Sequence, residues 1–143
     1  MPYRYLDDVA IADIAFEASG ESLQELFSAS VDAVLGVMIR EPESVLPGIS
    51  RFFKAQDTAA DLLLLRLLQE IVFYKDAEGI LLRCPAPRVT REGDAFEVRA
   101  ELKGELIDPA RHDLLTDVKA VTLHLLSVEL SPEGWISRVV LDV

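Results

Sequence analysis

The sequence predicts an α+β fold in which two helices pack against antiparallel β-sheet of about six to eight strands. Three observations lead there. Apolar residues recur at helical spacing in two stretches, around 22–38 and 57–77. Phe96, Val98, Ala100 and Leu102 alternate with Glu97, Arg99, Glu101 and Lys103, the pattern of a half-buried antiparallel strand. From Gly79 onward, short β-rich runs are separated by turn residues.

Taken in order, residues 11–18 read as a strand. Ser22-Leu23-Gln24-Glu25 has capping-box form, which satisfies two free amides at a helix start. Leu23, Leu26, Phe27, Val31, Val34, Leu35 and Met38 then make one apolar stripe, and Pro42 ends the element. Residues 49–55 read as a short strand. Asp57 or Thr58 caps a second helix that runs to about Ala77 and stops before Gly79. It is apolar on most of its circumference, with Arg66, Gln69 and Glu70 as a narrow polar strip, so it packs on more than one side. Residues 80–83 and 88–91 are strand-like around Pro85 and Pro87, which suits an edge or a bulge. Glu92-Gly93-Asp94 is a hairpin turn. Residues 118–130 read as one long strand, Ser131-Pro132-Glu133-Gly134 as a type I turn, and 135–142 as the strand that pairs back. With no repeat, low-complexity tract or long linker, residues 1–143 are expected to form a single domain.

Composition narrows the function classes. Half of the 143 residues are apolar, ample for a core that buries roughly two-thirds of the unfolded surface. A net charge of −11 opposes direct, tight nucleic-acid binding and points to a cation, a basic partner or solubility alone. The one cysteine, Cys84, excludes an intrachain disulfide and a Cys-based zinc site; its ordinary reading is a buried thiol. Met1-Pro2-Tyr3-Arg4-Tyr5 does not open a signal peptide, and no apolar run approaches the ~20 residues that cross a bilayer. The expectation is a soluble, cytoplasmic protein with no membrane partner.

Two carboxylates stand out. Asp13 lies mid-strand, where aspartate is disfavoured, on a face with Ile11, Ala15 and Glu17. Its ordinary reading is a solvated strand face. Asp142 shares a face with Arg138 and Val140, and its ordinary reading is a surface ion pair. Together with the carboxylate of Val143 they offer oxygen anions, which suit a hard cation. His124 falls on the strand face of Thr122, Leu126 and Val128 and reads as a core or half-buried histidine bonded to backbone. His112, after Asp108-Pro109-Ala110-Arg111, reads as a surface or turn residue, and Lys119 as a snorkelling or ion-paired lysine. No Ser-His-Asp spacing, phosphate loop, HExxH or Cys/His cluster occurs, so no catalytic residue is assigned.

Several of these segments resemble the archease family. Ala12-Asp13-Ile14 is similar to its Ala-Asp-Ile, Val118-Lys119-Ala120-Val121-Thr122-Leu123-His124 to its Val-Lys-Ala-x-Thr-x-His, and Asp142-Val143 to its Asp plus aliphatic residue. Gly20 to Phe27 resembles the start of its first helix. Leu68-Gln69-Glu70 and Asp76-Ala77-Glu78-Gly79 resemble its Leu-Asn-Glu and Asp-x-Glu-Gly, and Gly104-Glu105, Asp108 and His112 its Gly-Glu…Asp…His loop. Two departures stand beside these: Ala10-Ile11 replaces the family's His-Thr, and Leu67 stands where a tryptophan is often found.

The resemblance implies a non-enzymatic cofactor protein for RtcB-type RNA ligases, which join 2′,3′-cyclic phosphate or 3′-phosphate RNA ends to 5′-hydroxyl ends with GTP and a divalent metal. Archease-like proteins promote guanylylation of the ligase and its turnover, which places them in tRNA splicing. Carried over, the metal ligands fall on Asp13, Asp142 and Val143, with Ca2+ the first choice of cation and Mg2+ or Mn2+ as alternatives. The competing readings are a small metal-dependent hydrolase, for which only His124, Glu105 and Asp108 offer further ligands or a base, and a chaperone-like binding module. The structural expectation is that strand 11–18 lies beside the last strand, bringing Asp13 and Asp142 together.

Overall fold

In this computed structural model, which describes residues 2–7 and 13–143, the strands are β1 (Tyr3–Leu6), β2 (Asp13–Gly20), β3 (Ile49–Asp57), β4 (Ile80–Arg83), β5 (Arg88–Glu92), β6 (Ala95–Leu106), β7 (Ala120–Val121), β8 (Ser127–Ser131) and β9 (Gly134–Asp142). The helices are α1 (Leu23–Met38) and α2 (Ala60–Glu78), with a 3-10 turn at Pro42–Ser44. The α+β expectation holds, with two antiparallel sheets. In the first, β1-β2-β9 lie side by side and β7 and β8 share the far edge of β9. In the second, β6 is central, with β3 on one side and β4 and β5 end to end on the other.

The nine strands among the described residues exceed the expected six to eight for two reasons. Strand β1 was not anticipated; it is held by β2 and by the Tyr5 hydroxyl, which donates to the Ala33 carbonyl of α1 at 2.9 Å. The predicted strand 118–130 is broken. Its two ends pair with β9, but the chain turns out of the sheet between them at Leu125, whose φ is 56°. Alternation of side chains did not show that turn because it contains no glycine or proline. Ala10-Ile11 and the start of the predicted strand 11–18 lie outside the described residues.

The helices follow their apolar patterns. Ser22 caps α1 by accepting from the Glu25 amide at 3.2 Å, and Glu25 reaches back to the Glu21 amide at 3.0 Å. The stripe Leu26, Phe27, Val31, Val34, Leu35 and Met38 is buried. Helix α1 stops at Met38, before Pro42, which opens the 3-10 turn instead. The cap position of α2 is Ala59, neither Asp57 nor Thr58; Asp57 accepts from the Thr58 amide and pairs with Arg66 at 3.0 Å. Gly79, left-handed at φ 65°, closes α2 as the sequence predicts. Helix α2 touches β3, β4 and β6 of one sheet and β7 and β8 of the other, which explains its apolar circumference.

Segment 107–119 links β6 to β7 without a strand of its own and shapes the edge of the first sheet. Its amides at Leu115 and Thr116 donate to the Met38 and Val37 carbonyls, the free carbonyls at the end of α1. Lys75, on α2, fixes its far end: buried to 9% exposure, it donates to Asp117 at 2.6 Å and to the Val118 carbonyl at 2.7 Å, with Asp76 at 2.5 Å. Glu105 fixes its near end. One carboxylate oxygen takes the Leu46 amide at 2.5 Å, the Arg111 guanidinium, and His112 Nε2 at 3.1 Å. His112 Nδ1 accepts from the Asp108 amide at 2.9 Å, so the proton sits on Nε2 and faces Glu105. The close approach of Arg111 to Nε2 is two donors sharing one acceptor, not a bond between them.

Two outcomes follow from this packing. Gly104 lies between Ile49 and Leu82 in the second sheet, and a Cβ there would sit 1.7 Å from the Leu81 carbonyl oxygen. Gly104→Ala is expected to lose more than about 3 kcal/mol in urea unfolding, because backbone must move. Burial raises the Glu105 pKa, but the Leu46 amide, Arg111 and His112 outweigh it and bring the carboxyl down to about 2. Its stabilising contribution is therefore complete above the ordinary value of 4.5 and is lost as pH falls from 4.5 toward 2. Glu105→Gln is expected to cost about 1–3 kcal/mol at neutral pH. The difference between mutant and wild-type stability should shrink across that acid window, as read by denaturant midpoints at successive pH values.

Candidate functional site: an opposed aspartate pair

Asp13 opens β2, Asp142 closes β9, and the antiparallel register sets them directly opposite each other. In such a pair the Cβ atoms are ~4.5–5.5 Å apart, and like charges there are destabilising. The two side chains lie on the face that continues through Ala15–Val140 and Glu17–Arg138. Ala120 flanks Asp142 on its other side, and the Lys119 amide donates to the Asp142 carbonyl at 2.9 Å. Asp13, Asp142 and Val143 are all half-buried.

The ordinary partner for Asp142 is engaged elsewhere. Arg138 donates to Glu17 across the strands at 3.0 Å, and Arg4 takes the other Glu17 oxygen at 3.3 Å. These cations hold the Glu17 carboxyl below its usual range, the Arg138 hydrogen bond most of all. Among the described residues neither Asp13 nor Asp142 has a side-chain hydrogen bond or an ion pair. Lys119, one residue from the Ala120 that pairs with Asp142, is exposed and makes no ion pair among the described residues. Asp13 also lines a groove of about 470 Å3 with Tyr5, Leu6, Val37, Leu115 and Thr116, so one wall of the site is apolar.

The donor set fits a hard cation. The two aspartates present oxygen alone, which suits Ca2+, Mg2+ or Mn2+ over thiolate- or imidazole-seeking metals. Among the described residues no three His, Cys, Asp or Glu side chains gather as a metal cluster. The pair would therefore contribute only part of the 6–8 oxygen ligands that calcium takes.

The other candidates lie apart in role. His124 is exposed in the turn after β7, not half-buried on a strand, because the strand breaks there. His112 is buried at 1% exposure, not a surface residue, since both its ring nitrogens serve the Glu105 latch. One Glu105 oxygen is taken up by that latch, and Asp108 Oδ1 accepts from the Ala110 amide. Cys84 is buried, and burial with the nearby Asp32 charge pushes its thiol up to about 12, far from nucleophilic chemistry. Lys75 was missed. Its signal was its position, in step with Leu64, Leu68 and Ile71 on the buried stripe of α2.

The model of the Archease protein family matches residues 3–143. The archease of Pyrococcus abyssi is 28% identical over 133 residues, covering 92% of this chain and 93% of that one. The archease of Methanosarcina acetivorans is 30% identical over 142 residues, covering 99% and 95%. The solution structure of protein 1598 from Methanobacterium thermoautotrophicum superposes with a TM-score of 0.83 at 26% identity, covering 99% of both chains. A Thermotoga maritima archease described as a possible chaperone shares the fold, with a TM-score of 0.59 at 23% identity over 94% of this chain and 93% of that one. No helix among the described residues is long and apolar enough to cross a membrane. A family match across nearly the whole length makes the chain a member of the archease family.

Proposed function

We propose that this protein is a non-enzymatic cofactor that activates an RtcB-type RNA ligase in tRNA splicing and RNA repair, promoting ligase guanylylation and turnover through a divalent cation held by Asp13, Asp142 and Val143. The observation that carries this reading is the direct opposition of Asp13 and Asp142 with no cation partner among the described residues. Two such carboxylates repel unless a positive charge joins them. A fold that keeps them together accepts lower stability in exchange for binding. A divalent ion there supplies a concentrated positive charge; the protein's own part is to present the oxygens from two hydrogen-bonded strands, with the groove beside Asp13 open to a partner. The hydrolase reading is disfavoured at Glu105, whose carboxyl is held down at about 2 and is therefore a weak base. A chaperone-like role finds support in exposed Leu114, Leu115, Leu123 and Leu125, of which Leu115 borders the same groove. Action in the cytoplasm, beside the ligase, is part of this proposal.

Asp13→Asn is expected to leave the thermal midpoint unchanged or raised without metal. In the wild type, Ca2+ at about 100 times its dissociation constant should raise the midpoint by roughly 8 °C, from about 2.7 kcal/mol of linkage. Asp13→Asn and Asp142→Asn should lose most of that rise and the stimulation of multiple-turnover joining of 3′-phosphate to 5′-hydroxyl RNA by the cognate ligase. A wild type whose midpoint ignores Ca2+, Mg2+ and Mn2+ alike would retire the cation. Absence of stimulation by the wild type would retire the ligase.

A further inference from the structure

On the second sheet, the face turned away from α2 carries a reversal of the protein's charge. Register places Lys54 of β3 opposite Arg99 of β6, and Arg88 of β5 opposite the same Arg99. Three cations thus stand in one row across three strands, two strand spacings or roughly 10 Å wide. Lys103 lies further along β6 on the same face. Between the Glu92–Ala95 pair and Lys103 these four cations meet three carboxylates, Glu92, Glu97 and Glu101, the last paired with Lys103 at 3.3 Å, which leaves the stretch net positive on a chain whose net charge is −11. Glu97 is already shared: it takes Gln56 at 2.6 Å and Arg99 at 2.7 Å, with Lys54 at 4.0 Å. Arg88 has no anionic partner among the described residues.

In the neighbouring row, Phe52 stands opposite Glu101 and is 81% exposed, the most exposed large apolar side chain described. A groove of about 410 Å3 joins Phe52 to Lys54, Arg88 and Arg99. A smaller one, about 160 Å3, continues past Arg88 to Thr90 and Glu97. Like charges directly opposed in a sheet are unfavourable, and so is a bare phenyl ring in water. Both liabilities meet within one pair of strands, and both are relieved by the same kind of ligand.

We propose that this face is a weak binding surface for single-stranded RNA, with a base stacked on Phe52 and the phosphate backbone crossing the row Lys54, Arg99 and Arg88. A sheet face with an exposed aromatic and flanking cations is the arrangement that grips single strands by stacking and charge. An acidic peptide would meet the cations but leave the ring uncovered; a nucleotide covers both. Affinity is limited by the overall negative charge, so a dissociation constant on the order of 10–100 µM at low salt is expected, not tight binding. If the ligase reading also holds, the strand bound here is the one whose ends are being joined, a step that rests on the proposed function; the binding itself does not.

The test uses the intact protein without ligase or metal. Fluorescence anisotropy with a 5′-labelled 12-nucleotide single-stranded RNA at 50 and 200 mM salt should show binding whose logarithmic salt slope is about −1.4, two phosphates' worth. Phe52→Ala should weaken it at least about five-fold with an unchanged thermal midpoint. Arg88→Ala should flatten the slope by about 0.7. Asp13→Asn should bind like the wild type, which separates this surface from the aspartate pair. No binding at 50 mM salt, or binding indifferent to Phe52→Ala and Arg88→Ala, overturns the proposal. So does equal competition by a polyglutamate peptide, which would assign the face to an acidic protein. Self-association in sedimentation equilibrium that vanishes in Phe52→Ala overturns it too, in favour of contact between copies through β3.

Discussion

The pairing of β2 with β9 is the constraint on which the rest of the structure depends. Eight residue pairs run from Asp13–Asp142 to Gly20–Trp135, and β9 carries β7 and β8 on its other edge. The inner side of this ladder, with Phe16, Val139 and Leu141 fully buried, is the floor on which α1 lies. Inside it, the Ser30 and Ser137 hydroxyls bond at 3.0 Å and Ser30 also reaches the Leu26 carbonyl, so no polar atom is stranded between helix and sheet. Because side chains alternate, the register that seats Phe16 and Leu141 in the core also sends Asp13 and Asp142 together to the other face. The core and the acidic pair are two sides of one choice.

Charge is segregated with the same economy. The aspartate pair lies in the first sheet and the cation row in the second, and each is assembled by cross-strand register from residues far apart in sequence. Elsewhere the protein pairs its charges carefully: Arg83 grips Asp32 of α1 with two bonds of 3.0 and 2.9 Å, and Glu17 takes two arginines. Against that background, the aspartate pair and the cation row set like charges opposite one another, and they differ in sign.

Much of the architecture was legible because it obeys short-range rules. The capping box at Ser22, the stripe of α1, the left-handed Gly79 and the alternation of β6 each announce themselves within a few residues. What was not legible depends on neighbours distant in sequence. His112 looked like a loop histidine because nothing nearby shows that Glu105 and the Leu46 amide close over it. His124 looked half-buried because alternation persists through the turn at Leu125. Asp57 looked like a cap, yet the chain needed two more residues before the helix could start, and Arg66 claimed the carboxylate. The acidic pair was visible only as two unremarkable aspartates; their opposition is a property of register, which the family resemblance suggested and the strand pairing supplies.

Cys84 has a use that its chemistry conceals. It follows β4 directly, is 1% exposed, and lies in the core shared by the two helices. An alkylating reagent meets neither an accessible sulfur nor a thiolate there. β4 belongs to the second sheet and Asp13 to the first, so labelling of this one thiol reads openings that part β4 from the helices. The chain carries its own reporter of that separation, without a label added to its surface.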